Sequence, residues 1–246
     1  MPEDPAARSP GQPAAGGSAP VRSAQRAPHA RLTEVVRRHL DNPWREPLHA
    51  PTVDAFEALR AIVHGDEARR LVLDSGCGTG EGTRRLAGRW PGHLVLGVDK
   101  SAARLSRVGA SGRPVREGNV AWVRAELASF WRLAVAAGWR AERHYLCYPN
   151  PWPKPRHLGR RWHAHPVFPQ LLALGGELEL RCNWGVYADE FARALGVALG
   201  RPAPVVERVQ VEAPLTAFER KYAASGHVLY RVACTVEAPR GGWRGA

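Results

Sequence analysis

The chain has 246 residues, 44% of them apolar, which is enough for one sizeable core and excludes a chain disordered throughout. Its 35 Lys and Arg against 23 Asp and Glu leave a net charge of +12, which speaks of partners rather than fold and favours a polyanion, most simply nucleic acid. No apolar run approaches a membrane span, and Cys77, Cys147, Cys182 and Cys234 form no CxxC pair, so a membrane span, a zinc module and a disulfide framework are set aside.

Reduced, buried thiols in a cytoplasmic protein without a metal are the expectation. Residues 1–30 are rich in Pro, Ala, Gly, Ser and Arg and contain no apolar h-region. They read as a disordered basic tail rather than a secretory signal. Residues 31–238 are expected to form one domain, and 239–246 a second flexible tail. From Leu32 the pattern is helical, in "LTEVVRRHL" and "VDAFEALRAIV". Short apolar runs then alternate with amphipathic stretches. "RLVLDS", "HLVLGVD", "VAWVRAEL", "RHYLCYP" and "GGELELRC" read as strands, with helices such as "GEGTRRLAGRW", "ASFWRLAVAAGW" and "GVYADEFARALG" between or after them. That alternation predicts an α/β fold with a doubly wound, mostly parallel sheet. "PVVERVQVE" and "GHVLYRVACTVEA" have no predicted helix between them, only "APLTAFERKYAAS", so an antiparallel pair is expected at one sheet edge.

"VLDSGCGTGEG" places Gly76, Gly78 and Gly80 after the first strand and at the mouth of a helix. Glycine permits positive φ and close backbone approach, and the helix start offers free N–H groups. Asp99 ends the second strand, where an acid can accept both hydroxyls of a ribose. A dinucleotide fingerprint would need a third glycine at position 81, which is Glu81. The GxGxG spacing with Asp74 ahead of it instead resembles the Rossmann-like class I methyltransferases. That resemblance implies S-adenosylmethionine as cofactor, its ammonium group near Asp74 and its adenine side near Glu126.

"HYLCYPNPWPKPRHLGRR" ends the fourth strand in a proline-rich loop that can neither extend the strand nor lie inside a helix. Ligands collect at the carboxyl ends of parallel strands, so this loop should face the chemistry. Here the chain resembles the bacterial tRNA (guanine-N7)-methyltransferases, which carry P-D-P-W-x-K-x-R-H-x-x-R-R at this point and T-x-F-E near the C-terminus. Pro149, Pro151, Trp152, Lys154, Arg156, His157, Arg160 and Arg161 match the first signature, and Thr216, Phe218 and Glu219 the second. "RCNWGVYADEF" matches the family's D-W-x-x-Y-A stretch. Coverage runs from about Leu71 to Val236.

The resemblance implies methyl transfer to N7 of a guanosine in tRNA by a monomer. Asn150 would serve catalysis and touch the donor. Lys154, Arg156, His157, Arg160 and Arg161 would meet phosphates, and Asn183, Thr216, Phe218 and Glu219 would bind the base or hold its loop. The chain departs from the pattern at Asn150 and Asn183, where the family has Asp, and more mildly at Asp74. N7 carries a lone pair and no proton, so its attack needs orientation rather than a general base. An acid beside the ring would still favour the cationic product, and an amide cannot supply that charge. Three outcomes stay open on the sequence: retained guanine-N7 activity, methylation of another base or an exocyclic amine, or RNA binding with little turnover.

Overall fold

The computed structural model describes residues 17–63 and 70–237. The strands are β1 (Arg70–Ser75), β2 (His93–Asp99), β3 (Val115–Glu117), β4 (Val120–Arg124), β5 (Ala141–Cys147), β6 (Gly176–Cys182), β7 (Val206–Val209) and β8 (Leu229–Val236). They form one eight-stranded sheet in the order β3-β4-β2-β1-β5-β6-β8-β7. The helices are α1 (Leu32–Asp41), α2 (Ala50–Val63), α3 (Glu81–Arg89), α4 (Ala102–Leu105), α5 (Leu127–Ala136), α6 (Phe168–Ala173), α7 (Gly185–Leu199) and α8 (Ala217–Ala224).

The strands β4, β2, β1, β5 and β6 pair in parallel, and β8 and β7 add antiparallel at one edge, as the doubly wound reading expects. Alternate strand residues feed two cores. Leu73, Leu96, Val98 and Leu146 join the larger, with α1, α2, α5, α6 and α7. Val72, Val95, Trp122 and Tyr145 join the smaller, with α3 and α4. Strand order reverses between β1 and β5, and a crevice opens there at the carboxyl ends. Among the described residues no helix is long and apolar enough to cross a membrane.

Three features differ from the sequence expectation. A short strand, β3, caps the opposite sheet edge by pairing antiparallel with β4. A helix, α8, occupies "AFERKYAA", where none was predicted. Its start is a cap: Thr216 accepts a hydrogen bond from the Glu219 N–H. Finally, residues 17–30 are not a loose tail but a strap laid across the body. Val21 packs on the larger core, Ser18 N–H donates to Ser225 Oγ, and Ser23 Oγ donates to the Pro153 carbonyl. The remainder of that tail, residues 1–16, and the C-terminal one, 239–246, lie outside the described residues.

The core includes an acid-sensitive histidine. His144 on β5 is fully buried, its Nε2 2.8 Å from Ser75 Oγ, which also accepts from Trp131 Nε1. Burial lowers its pKa to about 3. The unfolded imidazole takes a proton near pH 6.5 and the folded one does not, so stability falls as pH drops from about 6.5 toward 3. Asp74 acts in the opposite sense, because burial raises its carboxyl to about 6 and the folded state then takes up a proton first. Between pH 6.5 and 5 the histidine contribution is about 2 kcal/mol. Urea denaturation at pH 7 and pH 5 should show His144→Gln losing less stability on acidification than the parent; equal losses would refute this account.

Candidate active site

The crevice is a cleft of about 600 Å³ whose lining includes Gly76, Asp99, Glu126, Asn150, Trp152 and Asn183. A side chamber of about 170 Å³ shares Gly76, Arg104, Cys147 and Phe218 with it and continues along Cys77, Gly78 and Thr216. The glycine loop, the acid after β2 and the loop after β5 thus open onto one space.

The glycine loop needs its glycines for different reasons. Gly76 has φ +81°, and a Cβ there would meet no heavy atom within 4 Å, so the backbone lies open to the cleft. Gly80, at φ +77°, starts α3, and a Cβ would come within 2.7 Å of Trp122 Nε1. Gly78 N–H donates to Asp99 Oδ2 at 3.0 Å, and Ser101 N–H donates to Oδ1 at 2.8 Å. Each Asp99 oxygen therefore keeps a lone pair that the protein backbone does not use.

Asp74 is buried beneath the loop, accepts from Thr83 Oγ1 at 2.7 Å and is not among the residues that line the cleft. The bond to Thr83 braces the start of α3. Glu126 does line the cleft, but its two oxygens accept from the Ala128 and Ser129 N–H groups and so also cap α5.

The loop after β5 is held in an uncommon shape. Tyr148 and Trp152, neither of them glycine, take positive φ values of 54° and 44°. Such conformations persist only where the surroundings over-determine them. Tyr148 is tied by its hydroxyl, which donates to Glu219. Asn150 Oδ1 accepts from Trp152 N–H at 3.3 Å, which closes the loop on itself at the cleft mouth.

The basic residues behind it divide. Lys154, Arg156 and Arg160 are exposed around a 3-10 turn, Pro155–Arg160. Arg160 lines the cleft and lies over the Trp152 ring at 4.8 Å, and His157 meets that ring edge-on at 5.7 Å. The cations on this turn add to partial desolvation in lowering the His157 pKa. Arg161, by contrast, is fully buried and faces no solvent. It pairs with buried Glu190 and donates to the Trp152 carbonyl and to Gln25 Oε1. Burial would raise the Glu190 carboxyl, but His163 and Arg161 hold it down at about 2.

Of the C-terminal signature, Phe218 lines both spaces, whereas Thr216 reaches only the side chamber, as the cap of α8. Glu219 is fully buried and accepts from Tyr148, Arg181 and Leu215 N–H, so it holds the loop instead of facing the cleft. Sequence reasoning missed Ser18, Ala19 and Val21 from the strap, together with Trp162, His165 and Tyr222, all of which line the cleft. No motif marks them. Among the described residues, no group of His, Cys, Asp and Glu is placed to hold a metal ion.

Residues 68–232 match the family described as "Putative methyltransferase". A tRNA (guanine-N(7)-)-methyltransferase from Leifsonia xyli subsp. xyli is 33% identical over 174 residues, covering 68% of this chain and 75% of that one. A protein of the same description from Ectopseudomonas mendocina is 31% identical over 211 residues, covering 80% and 84%. Among solved structures, that of the 16S rRNA methyltransferase KamB is similar at a TM-score of 0.54 and 17% identity, over 80% of this chain and 98% of that one. That last likeness is one of fold.

Proposed function

Since the chain belongs to the tRNA (guanine-N7)-methyltransferase family, we propose that its cleft is where a guanosine of tRNA receives a methyl group at N7 from S-adenosylmethionine. The observation that carries this reading is that Asp99 and Asn150 line the same cleft, beside Gly76 and Asn183. Donor side and acceptor side therefore meet with no wall between them.

The residues fit the donor. Gly76 exposes backbone to the cleft, Asp99 has on each oxygen an acceptor position that no backbone N–H takes, with Arg104 Nη1 3.8 Å from Oδ2, and Glu126 borders the far side. When bound, S-adenosylmethionine supplies an electrophilic methyl group on a sulfonium. The protein's part is orientation, because N7 already presents a lone pair. Trp152 forms a wall of the cleft, while Asn150 and Asn183 face it with amides. Lys154, Arg156 and Arg160 form a basic edge suited to the phosphate backbone, through salt-sensitive contacts. Reaching N7 inside a folded tRNA costs a few kcal/mol of unstacking, roughly what base-flipping enzymes incur.

The test is direct. Purified chain with labelled donor and bulk tRNA, digested to nucleosides, should yield 7-methylguanosine. A methylated exocyclic amine, or no label above background, would overturn the reading. Asn150→Asp should then raise the turnover rate. A carboxylate can keep the Oδ1 bond to Trp152 N–H and adds a negative charge beside the ring as it becomes cationic. One charge-assisted contact is worth about 1–3 kcal/mol, so a gain on the order of tenfold is expected. A fall in rate would show that the amide itself is required.

A further inference from the structure

We propose that His227 is a positioning residue that turns the Asn183 amide so that its oxygen, and not its nitrogen, faces the cleft. The inference rests on the reading of that cleft as the guanine site.

A planar amide can sit either way up, and the two ways are chemically opposite. One offers an acceptor, the other a donor. His227 decides between them through its own second hydrogen bond. Its Nε2 lies 2.8 Å from the Ser18 carbonyl oxygen, which can only accept, so Nε2 carries the proton. In the neutral ring the other nitrogen then has a lone pair and no hydrogen. That nitrogen, Nδ1, is 3.0 Å from Asn183 Nδ2. Asn183 must therefore donate to His227. Its oxygen, on the opposite side of the amide, takes no hydrogen bond from the described residues, and Asn183 lines the cleft.

The ring is held against rotation. It stacks on Tyr222 at 5.2 Å with the planes 18° apart. Ser18, its acceptor, is itself pinned where its N–H donates to Ser225 Oγ. The strap thus sets the tautomer of His227, and His227 sets the face that Asn183 shows.

The consequence for a bound guanine follows from its edge. N1–H and the exocyclic amine are donors, so an acceptor matches them and an NH₂ group opposes them. As N7 gains its methyl group the ring becomes positive and N1–H a stronger donor. The contact to Asn183 then tightens in the transition state and shows in kcat more than in KM. A carboxylate at position 183 would have two equivalent oxygens and would need no orienting partner.

That difference supplies the experiment, a four-way cycle measured as kcat and as KM for both tRNA and the methyl donor. His227→Phe keeps a flat ring on Tyr222 but removes both nitrogens. In the parent it should lower kcat roughly tenfold, the cost of facing a donor with a donor, while leaving KM for the methyl donor unchanged. In an Asn183→Asp background the same change should cost less than about twofold. His227→Gln can donate to Ser18 and accept from Asn183, so it should restore most of the lost rate. A histidine that merely packs would cost the same in both backgrounds, and that result, or no loss in the parent, would overturn the proposal. A parent that makes no 7-methylguanosine at all would sink the functional reading and this inference together; every other outcome bears on His227 alone.

Discussion

Arg161→Ala is expected to lower stability by about 3–5 kcal/mol, the usual cost of stripping one partner from a buried ion pair. For a body of this size that corresponds to a fall in Tm of roughly 10 °C. The cost comes from Glu190, which would be left ionised at zero exposure with His163 and two strap donors, Gln25 and His29 N–H, as its remaining partners. The Trp152 carbonyl would also lose both of its Arg161 donors, at 3.1 and 3.3 Å. Trp152 sits at a φ of 44°, so the loop that shapes the cleft depends on this anchor. Activity should therefore fall with stability. Arg160→Ala, one residue earlier, should leave Tm nearly unchanged, because Arg160 is exposed and its contact with Trp152 lies at the surface. Thermal melts of the two variants side by side make the check. If Arg161→Ala melts within about 2 °C of the parent, the network carries far less than its burial implies.

Asp99→Ala is expected to weaken S-adenosylmethionine binding by at least a hundredfold. The carboxylate is almost fully buried, lines the cleft and has backbone donors from Gly78 and Ser101 on one lone pair of each oxygen. In the proposed donor site the remaining lone pairs would accept from two ribose hydroxyls, with Arg104 Nη1 3.8 Å from Oδ2. Hydrogen bonds to a charged group contribute about 1.5–3 kcal/mol each, so losing two amounts to about 3 kcal/mol or more. Asp99→Asn keeps the shape and one acceptor and should show a smaller loss. Calorimetric titration of the methyl donor into both variants measures this directly. Unchanged affinity in Asp99→Ala would remove Asp99 from the donor site and move that site elsewhere along the cleft.

How much of this was legible beforehand varies from residue to residue. The alternation of short apolar runs with amphipathic stretches is a local property, and it foretold the parallel sheet and its antiparallel edge. α8 could have been read as well, because Thr216 three residues before Glu219 is a capping signature. Arg160 and Arg161 could not be told apart. They are the same residue type in the same turn, and only Glu190, 29 positions later, draws one of them inside. That Asp74, just ahead of the glycine loop, is bound by Thr83 in the first turn of α3 is likewise not marked in the sequence.

The strap shows the division most plainly. Its composition has too little apolar content to specify a fold, and residues 17–30 hold their place through bonds to Pro153, Glu190, Ser225 and His227. By itself, the order of residues determined the sheet, the glycine loop at the end of β1, the acid at the end of β2 and the proline-rich loop at the end of β5. These depend on periodicity and on backbone preferences that act over a few neighbours. Tertiary structure alone decided which charges turn inward, which carboxylates brace loops and which amide face meets the cleft. Each of those choices is made by a partner distant along the chain, and the energy of a buried charge or hydrogen bond exists only once that partner has arrived.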